Sequence, residues 1–265
     1  MKIGFFLLSL LLFAGCATTT ASNIAGKNRS QLLIVPAAEV NRMSLDYFAK
    51  QNDAARSKHL LVTGGPEFDR VQVIMRRLVP HTAALRKDAV DWPWELVLID
   101  APEVNAHVMA GGKVTVYTGL IRQLKLNDDE IAVVMGHEMA HALREHTREK
   151  ISEQQLAGAA VSLGGAALGA GKATMQLAGL AQQLALDLPF SRKMESEADV
   201  FGLELAARAG YDPQAALGLW DKMSAQGSAG IPQFLSTHPA PKNRKAELAA
   251  LMPKVMPLYQ AANRR

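Results

Sequence analysis

The sequence predicts an α+β fold, mostly helical, with one small β-sheet. Three observations carry that prediction. Apolar residues recur three or four apart over long stretches, the spacing of one helix face. Three short strand-like runs, Glu95–Ile99, Ala106–Met109 and Lys113–Tyr117, fall together between residues 95 and 118. Aromatic residues make up only 6% of the chain, so Ala- and Leu-rich helices must supply most of the core.

In chain order, Leu32 to Val35 reads as a short strand. Ala37 to Gln51 and Phe68 to Leu85 read as helices, and Pro66 sits where a helix start tolerates it. Gly111-Gly112 is a turn signal between the last two strands of the small sheet. Asn127 to Lys150 reads as one strong helix: Asn127 is a cap, Asp128, Asp129 and Glu130 fill the first turn, and Arg148 and Lys150 lie near the end. Ser191 to Gly210 is a second strong helix, stopped by its glycine. Asp212-Pro213 opens a third, to about Ala225. Pro241 or Lys242 to Leu251 is a fourth, ended by Pro253.

Composition narrows the function classes. The chain has 265 residues, 49% hydrophobic and 20% charged, which excludes disorder as the dominant state. One cysteine, Cys16, excludes an internal disulfide. The net charge of +4 is spread along the chain without a basic run, which argues against nucleic acid as a partner. Residues 1–15 read as an export signal: Lys2 is followed by an apolar stretch, Ile3 to Phe13, too short to span a bilayer. Residues 16–30 read as a flexible tether of small polar residues, and residues 31–265 as the folded body.

His137-Glu138-Met139-Ala140-His141 is an HExxH motif on the strongest helix. Residues four apart share a face, so His137 and His141 can point at one ion, and Glu138 can reach a water on that ion and take its proton. A catalytic zinc needs a third protein ligand and an open position. Glu195-Ser196-Glu197-Ala198-Asp199 offers carboxylates on another helix: Glu195 and Asp199 share a face, and Glu197 points elsewhere. One of the facing pair can bind the ion while the other orients a ligand histidine. The histidines at 59, 81, 107 and 146 have no partner at ligand spacing and read as structural or surface; His146 is off the face of His141.

These motifs together resemble peptidase family M48, the HExxH zinc metalloproteases, and within it the periplasmic lipoprotein branch of the BepA/LoiP kind. The resemblance covers roughly Gln31 to Leu251. It rests on Asn105-Ala106 followed by Gly111-Gly112, on Tyr117-Thr118-Gly119-Leu120, on Asp129-Glu130 leading into the HExxH motif, on the Glu195–Asp199 cluster and on Thr237-His238-Pro239. It implies a gluzincin-type domain in which one edge strand of the sheet borders the active-site cleft. It also implies one Zn2+ per chain on His137, His141 and Glu195, Asp199 behind a ligand, and Glu138 as base. His238 either fills the open zinc position in a latent enzyme or stabilises the oxyanion; Arg244 is a second candidate for the latter role.

Leu12-Phe13-Ala14-Gly15-Cys16 resembles a lipobox, with Cys16 as the lipidated first residue of the mature protein and Ala17 after it. That implies anchoring to the outer membrane on its periplasmic face. The implied task is quality control of unfolded or misfolded outer-membrane and periplasmic proteins, with the outer-membrane assembly machinery as a further partner. Lys113 to Tyr117, following Gly-Gly, reads as the edge strand that pairs with an extended substrate, with Gly112, Lys113, Val114 and Thr115 as substrate-binding residues. Residues 154–190, dense in Ala, Gly and Leu, read as a helical lid or hairpin rather than a membrane span. The rival functions are a latent or non-catalytic zinc-binding chaperone or scaffold lipoprotein, a metal-storage lipoprotein and a membrane-embedded protease.

Overall fold

The computed structural model describes residues 16–22, 24, 29–167, 189–226, 233–239 and 243–264. The export signal at 1–15 and residues 168–188 of the expected lid lie outside the described residues. In order, the elements are β1 (Cys16–Ala17), β2 (Gln31–Leu32), α1 (Ala37–Ser57), β3 (Leu61–Val62), α2 (Pro66–Leu78), β4 (Glu95–Ile99), β5 (Ala106–Met109), β6 (Lys113–Tyr117), α3 (Thr118–Leu124), α4 (Asp128–Leu143), α5 (His146–Ala167), α6 (Arg192–Arg208), α7 (Ala215–Gln226), α8 (Gln233–Thr237) and α9 (Arg244–Ala262).

The expected α+β architecture is present, and β4, β5 and β6 have the expected bounds. The sheet has a fourth strand and runs β3-β4-β6-β5, with β4 and β6 parallel and the outer pairs antiparallel. This order corrects the substrate-strand expectation. Lys113–Tyr117 is paired on both sides, and the edge strands are Leu61–Val62 and Ala106–Met109. The polar residues of β6 point inward and are satisfied there. Lys113 is buried, its Nζ donating to Pro93 O at 2.9 Å and Glu95 Oε2 at 3.0 Å, and Thr115 is fully buried. Gly112 turns the hairpin at φ +81°, packed so closely on Trp94 that a Cβ would lie 2.9 Å from its ring. Gly112, Lys113, Val114 and Thr115 therefore lie on or beside an interior strand, not on an edge strand.

Helix boundaries moved where a local signal was weak or was overridden. Helix α2 stops at Leu78 and continues as a 3-10 turn, Val79–Ala84, because Pro80 has no N–H for the α-helical ladder. The single helix expected over 127–150 is two, since Glu145 takes φ +52° and turns the chain between α4 and α5. No glycine or proline marks that break; Arg86 and Arg148 bind the Glu145 carboxylate instead, at 2.5 and 2.7 Å. Helix α9 passes through Pro253 and Pro257, where a stop was expected. Val255 is buried and Leu251, Leu258 and Tyr259 pack on the main core, so burial outweighs the missing donors.

The expected tether is docked in its described part. Residues Cys16–Ala17 pair with Gln31–Leu32, and Ala21 N donates to Leu85 O at 3.0 Å. Thr20 and Ser22 are buried, the latter donating to Glu204 Oε2 at 2.5 Å. Residues 154–167 of the expected lid continue α5. No helix among the described residues is long and apolar enough to cross a membrane.

Two helices form the centre. Helix α4 starts in a capping box, Asn127 Oδ1 accepting from Glu130 N and Glu130 Oε2 from Asn127 N, both at 2.9 Å. From Glu130 to Leu143 every residue is buried. Helix α6 is capped by Ser191 and crosses α4 at a backbone-to-backbone contact: a Cβ on Gly202 would lie 2.6 Å from His137 N, and one on Gly136 would lie 2.7 Å from Gly202 O. Neither position has room for a methyl group. Gly202→Ala is expected to destabilise the fold by about 1–3 kcal/mol through overpacking and to lower the metal content of the purified protein. Thermal denaturation and metal analysis check both.

Candidate metal centre

Helix α4 presents His137 and His141 one turn apart, with their Nε2 atoms separated by 3.1 Å. Helix α6 brings Glu195, in its first turn, up against both: Oε2 is 3.4 Å from His137 Nε2 and Oε1 is 3.3 Å from His141 Nε2. His238 follows α8, and its Nδ1 lies 2.9 Å from Glu195 Oε1 and 3.3 Å from His137 Nε2. All four side chains are buried, and their ligand atoms lie within 4.8 Å of one another.

The donor set fits zinc. Four ligand atoms at about 2.0–2.1 Å from a tetrahedral ion sit about 3.3 Å apart, and the separations given above run from 2.9 to 3.4 Å. Imidazole and carboxylate donors suit that ion. Two imidazole nitrogens aimed at one point repel unless a proton or a cation stands there. Beside them, Glu138 is buried with no hydrogen-bond partner for its Oε1 among the described residues, and His238 Nε2 stands 3.4 Å from that oxygen. An orphaned carboxylate oxygen next to four converging donors is a place for a polar guest.

A second layer holds these ligands. Asp199 Oδ1 lies 3.1 Å from His137 Nδ1, which fixes the ring so that Nε2 faces the cluster. Arg244 donates to Glu195 Oε2 at 3.0 Å and to Asp199 Oδ1 at 2.6 Å, with its guanidinium 4.0 Å above the Trp220 ring. Arg244, expected as a second candidate for the oxyanion, has both Nη atoms on carboxylates, clamping Glu195 and Asp199, while its buried Nε has no hydrogen-bond partner among the described residues. On the far side His146, read from sequence as structural or surface, is buried with Nδ1 2.9 Å from His141 Nδ1 and Nε2 3.1 Å from Glu197 Oε2. The sequence signal for His146 was hidden by the turn at Glu145, which breaks the helical spacing on which ligand geometry was judged. Phe190 stacks on His141 with ring centroids 4.0 Å apart, and Phe234 stacks on His238 at 4.5 Å.

The electrostatics follow from burial and these partners. Burial disfavours a charged His137, yet its hydrogen bonds to the Asp199 and Glu195 carboxylates overcome it and push its pKa up to about 9. His141 is held well below the usual imidazole value, burial outweighing Glu195. Burial also raises Glu195, but His238, His137 and His141 drive it far below the carboxylate range. Glu138 is shifted the other way: burial raises it, against the opposing pull of His238, His137 and the Val108 backbone amide. Glu195 thus stays an anionic donor while Glu138 is a carboxylate made more basic.

The structure brings together His137, Glu138, His141, Glu195, Asp199, His238 and Arg244. It leaves Gly112 to Thr115 on the next strand in, and Cys16 on β1 in the docked arm.

Comparison with known proteins agrees with this arrangement. Residues 66–252 match the profile of peptidase family M48. The chain is 35% identical to the mitochondrial metalloendopeptidase OMA1 of Schizosaccharomyces pombe over 219 residues, 81% of this chain and 64% of that protein. It is 37% identical to the mitochondrial metalloendopeptidase OMA1 of Arabidopsis thaliana over 182 residues, 68% of this chain and 36% of that protein. It is 28% identical to the beta-barrel assembly-enhancing protease of Escherichia coli K12 over 214 residues, 76% of this chain and 42% of that protein. The chain spans between about a third and two thirds of the length of these curated relatives.

Asp199→Asn keeps the shape but removes the charge that orients His137. Zinc affinity, measured by competition with a chromophoric chelator, is expected to fall about 10–100-fold, with the far-ultraviolet circular dichroism unchanged.

Proposed function

Because this chain belongs to peptidase family M48, we propose that it is a zinc-dependent endopeptidase. His137, His141 and Glu195 would hold the ion, and Glu138 would act as the base. The observation that carries this reading is the buried convergence of three ligand side chains beside a carboxylate whose Oε1 has no hydrogen-bond partner. When bound, zinc supplies a water of lowered pKa and a polarised scissile carbonyl. Glu138 would act as the general base toward the attacking water, hold the proton on its carboxylate and pass it to the leaving amine nitrogen. The raised pKa of Glu138 suits both halves of the transfer. Asp199 and Arg244 keep the ligand set in place throughout.

An extended peptide has one free strand edge near this site, Ala106–Met109. Val108 lies on it, and its backbone amide bonds Glu138. Substrate pairing along that edge would lay a peptide bond across the base, with recognition mainly through main-chain atoms. Such recognition favours unfolded chains, which offer extended backbone.

The cellular reading is an outer-membrane lipoprotein, cleaved before Cys16, lipidated there and facing the periplasm. It acts on misassembled envelope proteins, with the outer-membrane assembly machinery as a partner. The lipobox-like segment and the similarity to the beta-barrel assembly-enhancing protease support it. The relatives from yeast and plant are named as mitochondrial, so the family alone does not select this location.

A second reading, a latent or non-catalytic zinc-binding scaffold, has its own observation. His238 Nδ1 stands at the fourth corner of the ligand cluster, where a substrate or water would have to enter. In the enzymatic reading His238 leaves that corner and donates to the carbonyl oxygen as negative charge develops there.

The deciding experiment compares wild type with Glu138→Gln on an unfolded protein substrate, with zinc quantified in each. The expected outcome is one zinc per chain in both and cleavage by wild type only, with the variant slower by about 100-fold or more. Equal zinc and no cleavage by either would favour the scaffold, and absence of zinc from both would overturn the metal reading. His238→Ala separates latch from oxyanion donor. A latch predicts faster hydrolysis with zinc retained, and a donor predicts a lower kcat with KM little changed.

A further inference from the structure

The acidic cluster on α6 has a member that the proposed chemistry does not use. Glu197 points away from the ligand face, and yet it is buried. Its Oε2 accepts from His146 Nε2 at 3.1 Å and from Arg144 Nη2 at 3.0 Å, and its Oε1 accepts from Arg29 Nε at 2.5 Å. His146 then reaches His141 through Nδ1 at 2.9 Å. Arg29 also grips Glu149, donating to its Oε2 at 2.8 Å. A continuous chain of contacts thus runs from the N-terminal arm to a side chain of the metal cluster.

The chain has one self-consistent proton arrangement for a metal-binding His141. If Nε2 of His141 donates to the ion, its Nδ1 carries the hydrogen, and His146 Nδ1 must accept it. His146 is then a neutral imidazole with its own hydrogen on Nε2, directed at Glu197. Glu197 has to be an anion, and two arginines hold it so. Each group fixes the tautomer of the next.

We infer that His146 is a positioning residue for the metal ligand His141, and that Arg29 of the N-terminal arm holds His146 in that pose through Glu197. The arm is thereby a structural part of the metal centre. His146 does for His141 what Asp199 does for His137, but through an imidazole inserted between carboxylate and ligand. Removing Arg29 leaves Glu197 with Arg144 alone and takes from the buried Glu149 the arginine that pairs with it. Their repulsion then acts on the carboxylate that aims His146.

This inference rests on the reading of His141 as a metal ligand, and the test separates the two. Zinc dissociation constants of the full chain are measured by competition with a chromophoric chelator, and ligand-field spectra are recorded on the cobalt-substituted protein. His146→Ala is expected to weaken zinc about 10–100-fold and to shift the cobalt bands. His146→Asn, whose amide oxygen can accept the His141 Nδ1 hydrogen, should recover most of the affinity. Arg29→Ala is expected to weaken zinc in the same direction by a smaller factor, and Arg29→Lys should lie between it and wild type. Wild-type affinity and an unshifted spectrum in either His146→Ala or Arg29→Ala would overturn the inference. If His146→Ala does not fold, the two Arg29 variants decide, because that side chain lies at the partly exposed margin of the cluster. His141→Ala is the control: if it too binds zinc as wild type does, the metal reading fails and the relay falls with it.

Discussion

The close crossing of α4 and α6 is the constraint on which the rest of the site depends. Gly136 and Gly202 let the two backbones touch where any side chain would hold them apart. His137 follows Gly136 directly, and Asp199 and Glu195 lie one and two turns before Gly202. The same contact that closes the core therefore sets the distance from the two imidazoles to their carboxylates. A carboxylate ligand on a separate helix is useful only if that helix is held to within a few tenths of an ångström, and direct backbone contact does this without relying on side-chain rotamers.

Around that crossing, the buried charge is paired rather than avoided. Glu195 and Asp199 share Arg244; Glu197 and Glu149 share Arg29, with Arg144 on Glu197 as well. Pairs like these add little net stability compared with an apolar core, but losing one partner is costly. They give direction in return: each carboxylate has a fixed set of donors, and each imidazole one orientation. Glu138 stands apart from this pattern. It lies in the same interior, yet its Oε1 is left unbonded among the described residues, a freedom that the proposed role of a base would use.

The sheet supplies the other half of the geometry. Strand β6 is sealed between β4 and β5, so the edge on that side of the sheet falls to β5, and β5 packs along α4. This arrangement sets a strand edge without a strand partner beside the helix that carries His137, Glu138 and His141. It also explains why β6 tolerates Lys113 and Thr115: their polar atoms are bonded inside, to Glu95, Pro93 and Gln51, instead of facing solvent.

Local chemistry was legible in the sequence wherever it acts over a few residues. The Asn127 cap, the helix beginning at Ser191, the Gly111-Gly112 turn and the three main strands all depend on neighbours within one turn or one hairpin, and the structure has them. The spacing of His137 and His141 predicted a shared face for the same reason. Three further features needed the fold. Strand order is a matter of which strand lies outside, and the alternating pattern of Lys113–Tyr117 is the same at an edge or in the interior once partners bury its polar residues. The helix break at Glu145 has no glycine or proline to announce it; it is held by Arg86, distant in sequence, and it alone brings His146 back to His141. The docking of the N-terminal arm depends on Glu149, Glu197 and Glu204, more than a hundred residues away, and a small polar composition reads as a tether until those partners are in place. The sequence by itself determined the ligand types and the helices that carry them. Tertiary structure decided which side chains orient those ligands, because burial and pairing across the chain leave no trace in local spacing.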